Sequence, residues 1–200
     1  MKDASRPITT RDAILEATDR LLARSGYKKM TIDDLANEVG IGKGSVYLHF
    51  SSKEEIALSH IDGIIEKLKS NLTAIAAKPL GVEIRLRQML LERVLYRFDS
   101  VQHYTQSLNE LLAVLRPKLL ERRKRYFSEE ARIFADVLAE GQKSKIFQKG
   151  DPLDLAITFL SSTNALLPYS LSAIELGDRS EIEDRARKTA DVLIRGISIQ

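Results

Sequence analysis

The sequence predicts an all-α protein in two parts, a three-helix N-terminal domain over residues 1–53 and a larger helical C-terminal domain over 54–200. Three observations carry this. Apolar residues recur at helical spacing along the chain, and no stretch alternates convincingly as a strand would. Capping residues and glycine or proline stops cut that pattern into helix-sized lengths. The stretch over residues 31–53, TIDDLANEVGIGKGSVYLHFSSK, reads as helix, tight glycine turn, short helix and the start of another, which is a helix-turn-helix.

The elements follow in order. After a polar arm ending at Pro7, Thr9 or Thr10 caps the first helix, with Asp12 in its first turn, Ile14, Ala17, Leu21 and Leu22 as its inward stripe, and Gly26 as its end. Thr31 and Asp34 form a T-x-x-D capping signal for the second helix, whose apolar positions Ile32, Leu35, Ala36 and Val39 fall on one face. Gly40 stands where a left-handed C′ glycine ends a helix. Ile41 plugs the turn into the core, and Gly42 opens the third helix. Val46 and Phe50 then face inward, leaving Lys43, Gly44, Ser45, Tyr47, Leu48 and His49 outside. A helix this short is marginal alone, so its inner residues must hold it against its neighbours. The S-K-E-E signal at Ser52 starts a long helix that Pro79 stops near Ala77.

The remainder reads as further helices: about 81–98, 103–115 with an interruption near Pro117, 118–140 ending at Gly141, 153–167 after the Gly150-Asp151-Pro152 turn, and 180–197 after Gly177-Asp178. The 153–167 segment is apolar nearly all round and must be covered on more than one side. Pairing with a second copy and burial within one chain both explain it.

A helix-turn-helix places its second helix in the major groove of duplex DNA, where side chains read base edges and flanking groups bind phosphates. The charge balance favours placed contacts over a broad positive field. Residues 1–53 carry nine Lys and Arg against seven Asp and Glu, and the whole chain has a formal net charge of +3. That favours a site-specific binder over a non-specific coat.

The run Gly40-Ile41-Gly42-Lys43-Gly44-Ser45-Val46-Tyr47-Leu48-His49-Phe50, followed by Ser52-Lys53-Glu54, resembles the signature of TetR-family transcriptional regulators. The likeness extends upstream to Ser25-Gly26-Tyr27 and covers about the first 60 residues; the rest resembles the family in length and helical character. It implies that Thr31, Tyr47 and Lys53 contact phosphate and that Lys43, Gly44, Ser45 and Leu48 are the variable groove-facing positions. His49 matches a backbone- or groove-facing position. Lys43 can donate to guanine, Ser45 can bond a base or a phosphate, Leu48 can touch a thymine methyl, and Gly44 permits close backbone approach. Other uses stay open: Tyr47 packing on the surface, His49 as a structural hydrogen-bonder, Lys43 as a solvated cation. Leu48 departs from the aromatic residue common there.

The resemblance further implies a homodimer paired through its last two helices, double-stranded operator DNA as partner, and a helical ligand-binding and dimerisation domain that takes a small-molecule effector. Tyr96, Tyr104, Phe134, Phe159 and Asn164 are the candidates for its pocket. A ligand-independent or partner-controlled regulator, or an activator, is the alternative. The rest of the chain points to no enzyme, cofactor or metal. There is no cysteine, no H-x-x-x-H or H-E-x-x-H, no G-x-S-x-G and no P-loop spacing. The basic run Glu121-Arg122-Arg123-Lys124-Arg125 reads as a solvated helix face, with contact to DNA or an acidic ligand as the alternative. No run of 18 apolar residues and no signal-peptide pattern occurs, so no membrane association and a cytoplasmic location are expected.

Overall fold

The computed structural model describes residues 9–102, 105–167 and 177–199. Eight α-helices run through these residues: α1 (Thr10–Lys29), α2 (Ile32–Val39), α3 (Lys43–His49), α4 (Lys53–Ala76), α5 (Val82–Val101), α6 (Thr105–Lys143), α7 (Pro152–Ser162) and α8 (Arg179–Ile197). A 3-10 turn, Asn164–Leu166, follows α7. Among the described residues the only extended pairing is an isolated antiparallel bridge between Phe147 and Ser198. The chain divides into two compact units. One takes residues up to Gly63 with Gln106–Arg116; the other takes Ile64–Thr105 with Pro117–Gln200.

In the first unit, Thr9 caps α1 through a reciprocal box. Its hydroxyl accepts from the Asp12 amide, and the Asp12 carboxylate accepts from the Thr9 amide, both at 3.2 Å. Gly26, at φ 78°, takes the chain out of the helical path, as a glycine can and other residues do only under strain. Packing of α1 on α2 and of α2 on α3 buries Ile14, Ala17, Leu21 and Leu22 of α1, Leu35 and Ala36 of α2, and Val46 of α3.

The second unit is organised by a large apolar cluster. Leu68 and Leu72 of α4, Leu86, Met89 and Leu90 of α5, Phe134 and Leu138 of α6, Phe159 and Leu160 of α7, and Ala190 and Ile194 of α8 are all buried in it. A smaller cluster joins Val94 and Phe98 of α5 to Leu167, Ile182 and Ala186. Burial of this kind stabilises by about 25 cal/mol for each Å² of apolar surface removed from water.

Boundaries at Pro117, Gly141 and Ser162 differ from those the sequence suggests. Pro117 lies inside α6 without ending it. The residue costs one backbone hydrogen bond, to the carbonyl of Ala113, and Ala113 sits at an exposed position. Gly141 is also within α6, and its role is close approach. A Cβ there would lie 2.1 Å from Cδ2 of Phe147, which folds back over it. The Gly141 carbonyl accepts from both Ile146 and Phe147 amides, at 2.9 and 3.1 Å. Finally, α7 stops at Ser162, where the Leu160 carbonyl accepts from the Thr163 amide at 3.3 Å and from the guanidinium of Arg93 at 3.2 Å. Only Ala156, Phe159 and Leu160 of α7 are buried, while Leu153 and Ile157, one turn apart, remain 42% and 40% exposed.

Arg93 belongs to a buried ionic cluster in this unit. Its Nε donates to Glu130 at 2.9 Å, its Nη1 to the Thr163 hydroxyl at 2.6 Å, and its Nη2 to Asn164 Oδ1 at 3.0 Å. Arg97 donates to the other oxygen of Glu130 and to the Arg93 carbonyl. Burial alone would push the Glu130 carboxyl up, but Arg97 and Arg93 reverse this and hold it below its ordinary value. Burial, with Arg97 alongside, pushes Arg93 down to about 10, so it stays cationic at neutral pH.

Candidate nucleic-acid interface

The candidate interface is built from short-range devices. At the start of α2 the Thr31 amide donates to Asp34 at 2.9 Å and the Asp34 amide to the Thr31 hydroxyl at 3.1 Å. The Thr31 hydroxyl, and after it the Thr31 amide, donate to the Asp34 carboxylate and hold it below its ordinary value. At the other end Gly40 adopts φ 77°, ψ 34°, and its amide and that of Ile41 both donate to the Ala36 carbonyl at 2.9 Å. Two orphan donors of the turn are thereby satisfied, and the chain is aimed into α3. Gly42 caps α3 without a side-chain hydrogen bond.

Inner and outer faces of α3 then separate cleanly. Val46 is fully buried, and Phe50, just past the helix, is 3% exposed beneath the Arg11 guanidinium, 5.0 Å from the ring centroid. On the outside Tyr47 is 50% exposed and Leu48 85% exposed. An outward leucine this open has no role in the core of the unit. Lys43, Gly44 and His49 are also exposed, and Ser45 is half-buried. Nothing lies within 4 Å of where a Cβ of Gly44 would be, so the backbone there is open to close approach. Thr31 sits exposed at the N-terminus of α2, with its hydroxyl on Asp34 at 2.7 Å.

Two cations are engaged within the unit. Lys43 Nζ donates to Asp33 at 2.8 Å, and that hydrogen bond and charge hold the ammonium above its ordinary value. Lys53, at the first residue of α4, donates to the carbonyls of Tyr27 at 2.9 Å, Met30 at 3.0 Å and, more loosely, Lys28 at 3.4 Å. It also lies 4.5 Å from the Tyr27 ring centroid. No pattern in the sequence marks Asp33 as the partner of Lys43 or the carbonyls around Lys53. Both partnerships cross a turn or a helix and leave no periodic trace.

The pocket candidates lie apart from this face in sequence. Phe134 and Phe159 are fully buried in the large apolar cluster of the second unit, and Tyr96 packs partly buried against it. Burial pushes the Tyr96 phenol up. Asn164 accepts from Arg93, as described, and Tyr104 lies outside the described residues. Among the described residues no helix is long and apolar enough to cross a membrane.

A short helix held from behind by Val46 and Phe50, with its polar and apolar side chains turned out, defines a helix-turn-helix DNA-binding protein. Residues 14–59 match the family model of bacterial regulatory proteins of the tetR family. Over 163 residues the chain is 28% identical to the HTH-type transcriptional repressor KstR2 of Mycolicibacterium smegmatis, covering 80% of this chain and 78% of that protein. A shorter stretch of 77 residues is 34% identical to the HTH-type transcriptional regulator EthR of the same organism, covering 38% of this chain and 36% of that one. Two solved structures share the fold. A transcriptional regulator from Cytophaga hutchinsonii matches with a TM-score of 0.76 at 21% identity, over 93% of this chain and 97% of its own. A TetR transcription regulator from Haloarcula marismortui matches with a TM-score of 0.75 at 20% identity, over 94% and 98%. The chain thus carries a tetR-family DNA-binding region over residues 14–59 and is similar over most of its length to a relative named a transcriptional repressor.

Proposed function

We propose that the protein is a cytoplasmic repressor that binds a palindromic operator as a homodimer and is released by a small-molecule effector. The observation that carries the reading is the outward face of α3, where Tyr47 and Leu48 stand half and almost fully exposed on a helix otherwise pinned to its unit. Lys43, Gly44, Ser45 and Leu48 read base edges, while Thr31, Tyr47 and His49 contact the sugar-phosphate backbone. Lys53, matched by resemblance to a phosphate contact, rests on the Tyr27 and Met30 carbonyls when no DNA is present.

One recognition helix reads few base pairs, so a two-fold pair is needed for a site of useful length. The exposed Leu153 and Ile157 of α7 and Val192 of α8, which is 71% exposed, support pairing through these two helices. Repression as the sign of regulation draws support from the relative named a repressor. DNA reading belongs to residues 1–53, and effector binding and pairing to 54–200. The effector acts by binding more tightly to the state whose recognition helices do not fit the operator; linkage requires that difference in affinity.

The test is selection of duplexes from a random pool by the full-length protein, followed by sizing of the complex. The reading expects an inverted repeat bound by two chains. Selection of a single asymmetric half-site bound by one chain would overturn the dimer, and no enrichment at all would overturn operator binding.

A further inference from the structure

The chain's positive charge is concentrated outside the helix-turn-helix. Residues 116–125 of α6, RPKLLERRKR, hold six Lys and Arg against one Glu. The other 190 residues hold 25 Lys and Arg against 27 Asp and Glu, so the chain is basic only because of this stretch. Residues 1–53, which carry the base-reading helix, have just two more Lys and Arg than Asp and Glu. Within the run, Leu115 and Tyr126 face the interior and are buried. Arg116, Lys118, Arg123, Lys124 and Arg125 are exposed, and Arg122 is half-buried. The cations therefore fan over the solvent side of about three turns of helix.

The fold gains nothing from such a run. Like charges four apart, as in Lys118 and Arg122, weaken a helix. The ordinary arrangement is seen in α8, where opposite charges stand four apart: Arg179 and Arg187 meet Glu183 at 3.3 and 2.7 Å, and Lys188 meets Asp184 at 2.6 Å. In the α6 run Arg125 reaches Glu129 only at 3.9 Å. Ten residues of helix span about 15 Å. Duplex DNA carries one phosphate charge per about 1.7 Å of axis, so that length of duplex offers roughly nine. A dense row of cations complements this polyanion, and contacts to phosphate carry no base information. Resting on the DNA-binding function proposed above, we infer that the exposed face of α6 over residues 116–125 is a second, sequence-independent surface for the phosphate backbone of duplex DNA. It supplies general attraction, while α3 supplies the choice among sequences.

The experiment titrates a duplex selected by the wild-type protein and a scrambled duplex, each over a series of salt concentrations. It compares wild type with Arg116→Gln/Arg123→Gln/Lys124→Gln. A control, Lys143→Gln/Lys145→Gln/Lys149→Gln, removes the same charge at other exposed positions. Each phosphate contact contributes roughly 0.9 to the slope of log affinity against log salt. The α6 variant should lose at least that much slope and bind both duplexes about tenfold or more weakly at low salt, with its preference between them unchanged. The control should keep the wild-type slope. Lys124→Gln alone serves where the triple variant does not fold, with a loss of about 0.9 per subunit expected. An unchanged slope in the α6 variant, an equal fall in the control, or a loss confined to the selected duplex would overturn the inference. So would phosphatidylserine vesicles that bind wild type and not the α6 variant while the slopes on DNA stay equal, which would make the face a membrane surface. A wild type that binds both duplexes alike would instead sink site-specific reading by α3, and the slopes would still decide the role of α6.

Discussion

The two units are held together by different means. The reading unit is shaped largely by short-range devices, the Thr9–Asp12 and Thr31–Asp34 boxes and the left-handed Gly40, over a small apolar interior under α3, with Lys53 as its longer tie. The helical body uses partners far apart in sequence. Arg93 meets Glu130 across 37 residues and the Leu160 carbonyl across 67, inside a core that closes over both. Local devices cost little entropy to assemble and leave a surface free to act. Distant, buried ones fix a unique arrangement, and breaking them leaves a charge stranded out of water.

That contrast sets the order of the expected effects. Glu130→Gln should be the most damaging, since it leaves Arg93 and Arg97 facing a neutral group at a site that is 1% exposed. Loss of one partner in a buried ion cluster costs about 3–5 kcal/mol, measurable by urea unfolding. The effect also has a pH signature. A carboxylate whose folded value is depressed contributes stability above its unfolded value, near 4.3 for glutamate, and loses it as pH falls through the folded value. The gap between wild type and Glu130→Gln should therefore narrow as the pH drops below about 4. A gap that stays constant from neutral to acid would show that Glu130 does not act as a charge.

Two glycines sharpen the comparison at the next level. Gly141→Ala drives a methyl into the Phe147 ring and should destabilise the body by about 1–3 kcal/mol through overpacking. Gly40→Ala meets nothing within 4 Å, so its whole cost is the positive φ, about 1–2 kcal/mol. A second-site Phe147→Leu should relieve the first substitution and leave the second untouched; rescue of neither would disprove the packing explanation. Thr31→Ala comes next, at about 1 kcal/mol for the lost cap, together with weaker DNA binding. Should thermal melts of Thr31→Ala match wild type, the cap contributes nothing. Smallest in stability is Leu48→Ala. With 85% of the side chain exposed it should change stability by less than about 0.5 kcal/mol while altering which duplexes are preferred. A large drop in melting temperature would mean that Leu48 packs against something.

The same contrast explains what could be read from the chain alone. Thr31, Asp34, Gly40, Val46 and Phe50 announce themselves because capping, a left-handed turn and an apolar stripe are patterns a few residues long. The inner and outer faces of α3 follow from them. Elsewhere the signals were present but ambiguous. Pro117 reads as a break, yet one missing hydrogen bond is small beside the packing of a 39-residue helix. Gly141 reads as a helix end because a glycine's missing side chain looks the same whether it frees a dihedral or makes room for a phenyl ring. The early end of α7 leaves no local mark, since Arg93, which shares the Leu160 carbonyl with Thr163, lies on another helix. Lys53 shows the limit most clearly. Its position after the recognition helix suggests a phosphate, and only the folded chain brings the Tyr27, Lys28 and Met30 carbonyls to it.

Whether the outward face of α3 reads duplex DNA is decided by fluorescence anisotropy. Wild type and Tyr47→Phe would be titrated against a duplex that the wild type selects and against a scrambled one, at several salt concentrations. The expected result is saturable binding that favours the selected duplex, weakens as salt rises, and falls for Tyr47→Phe while its thermal melt stays unchanged. Equal affinity of both proteins for both duplexes would contradict it, and the exposed face of α3 would then need another purpose.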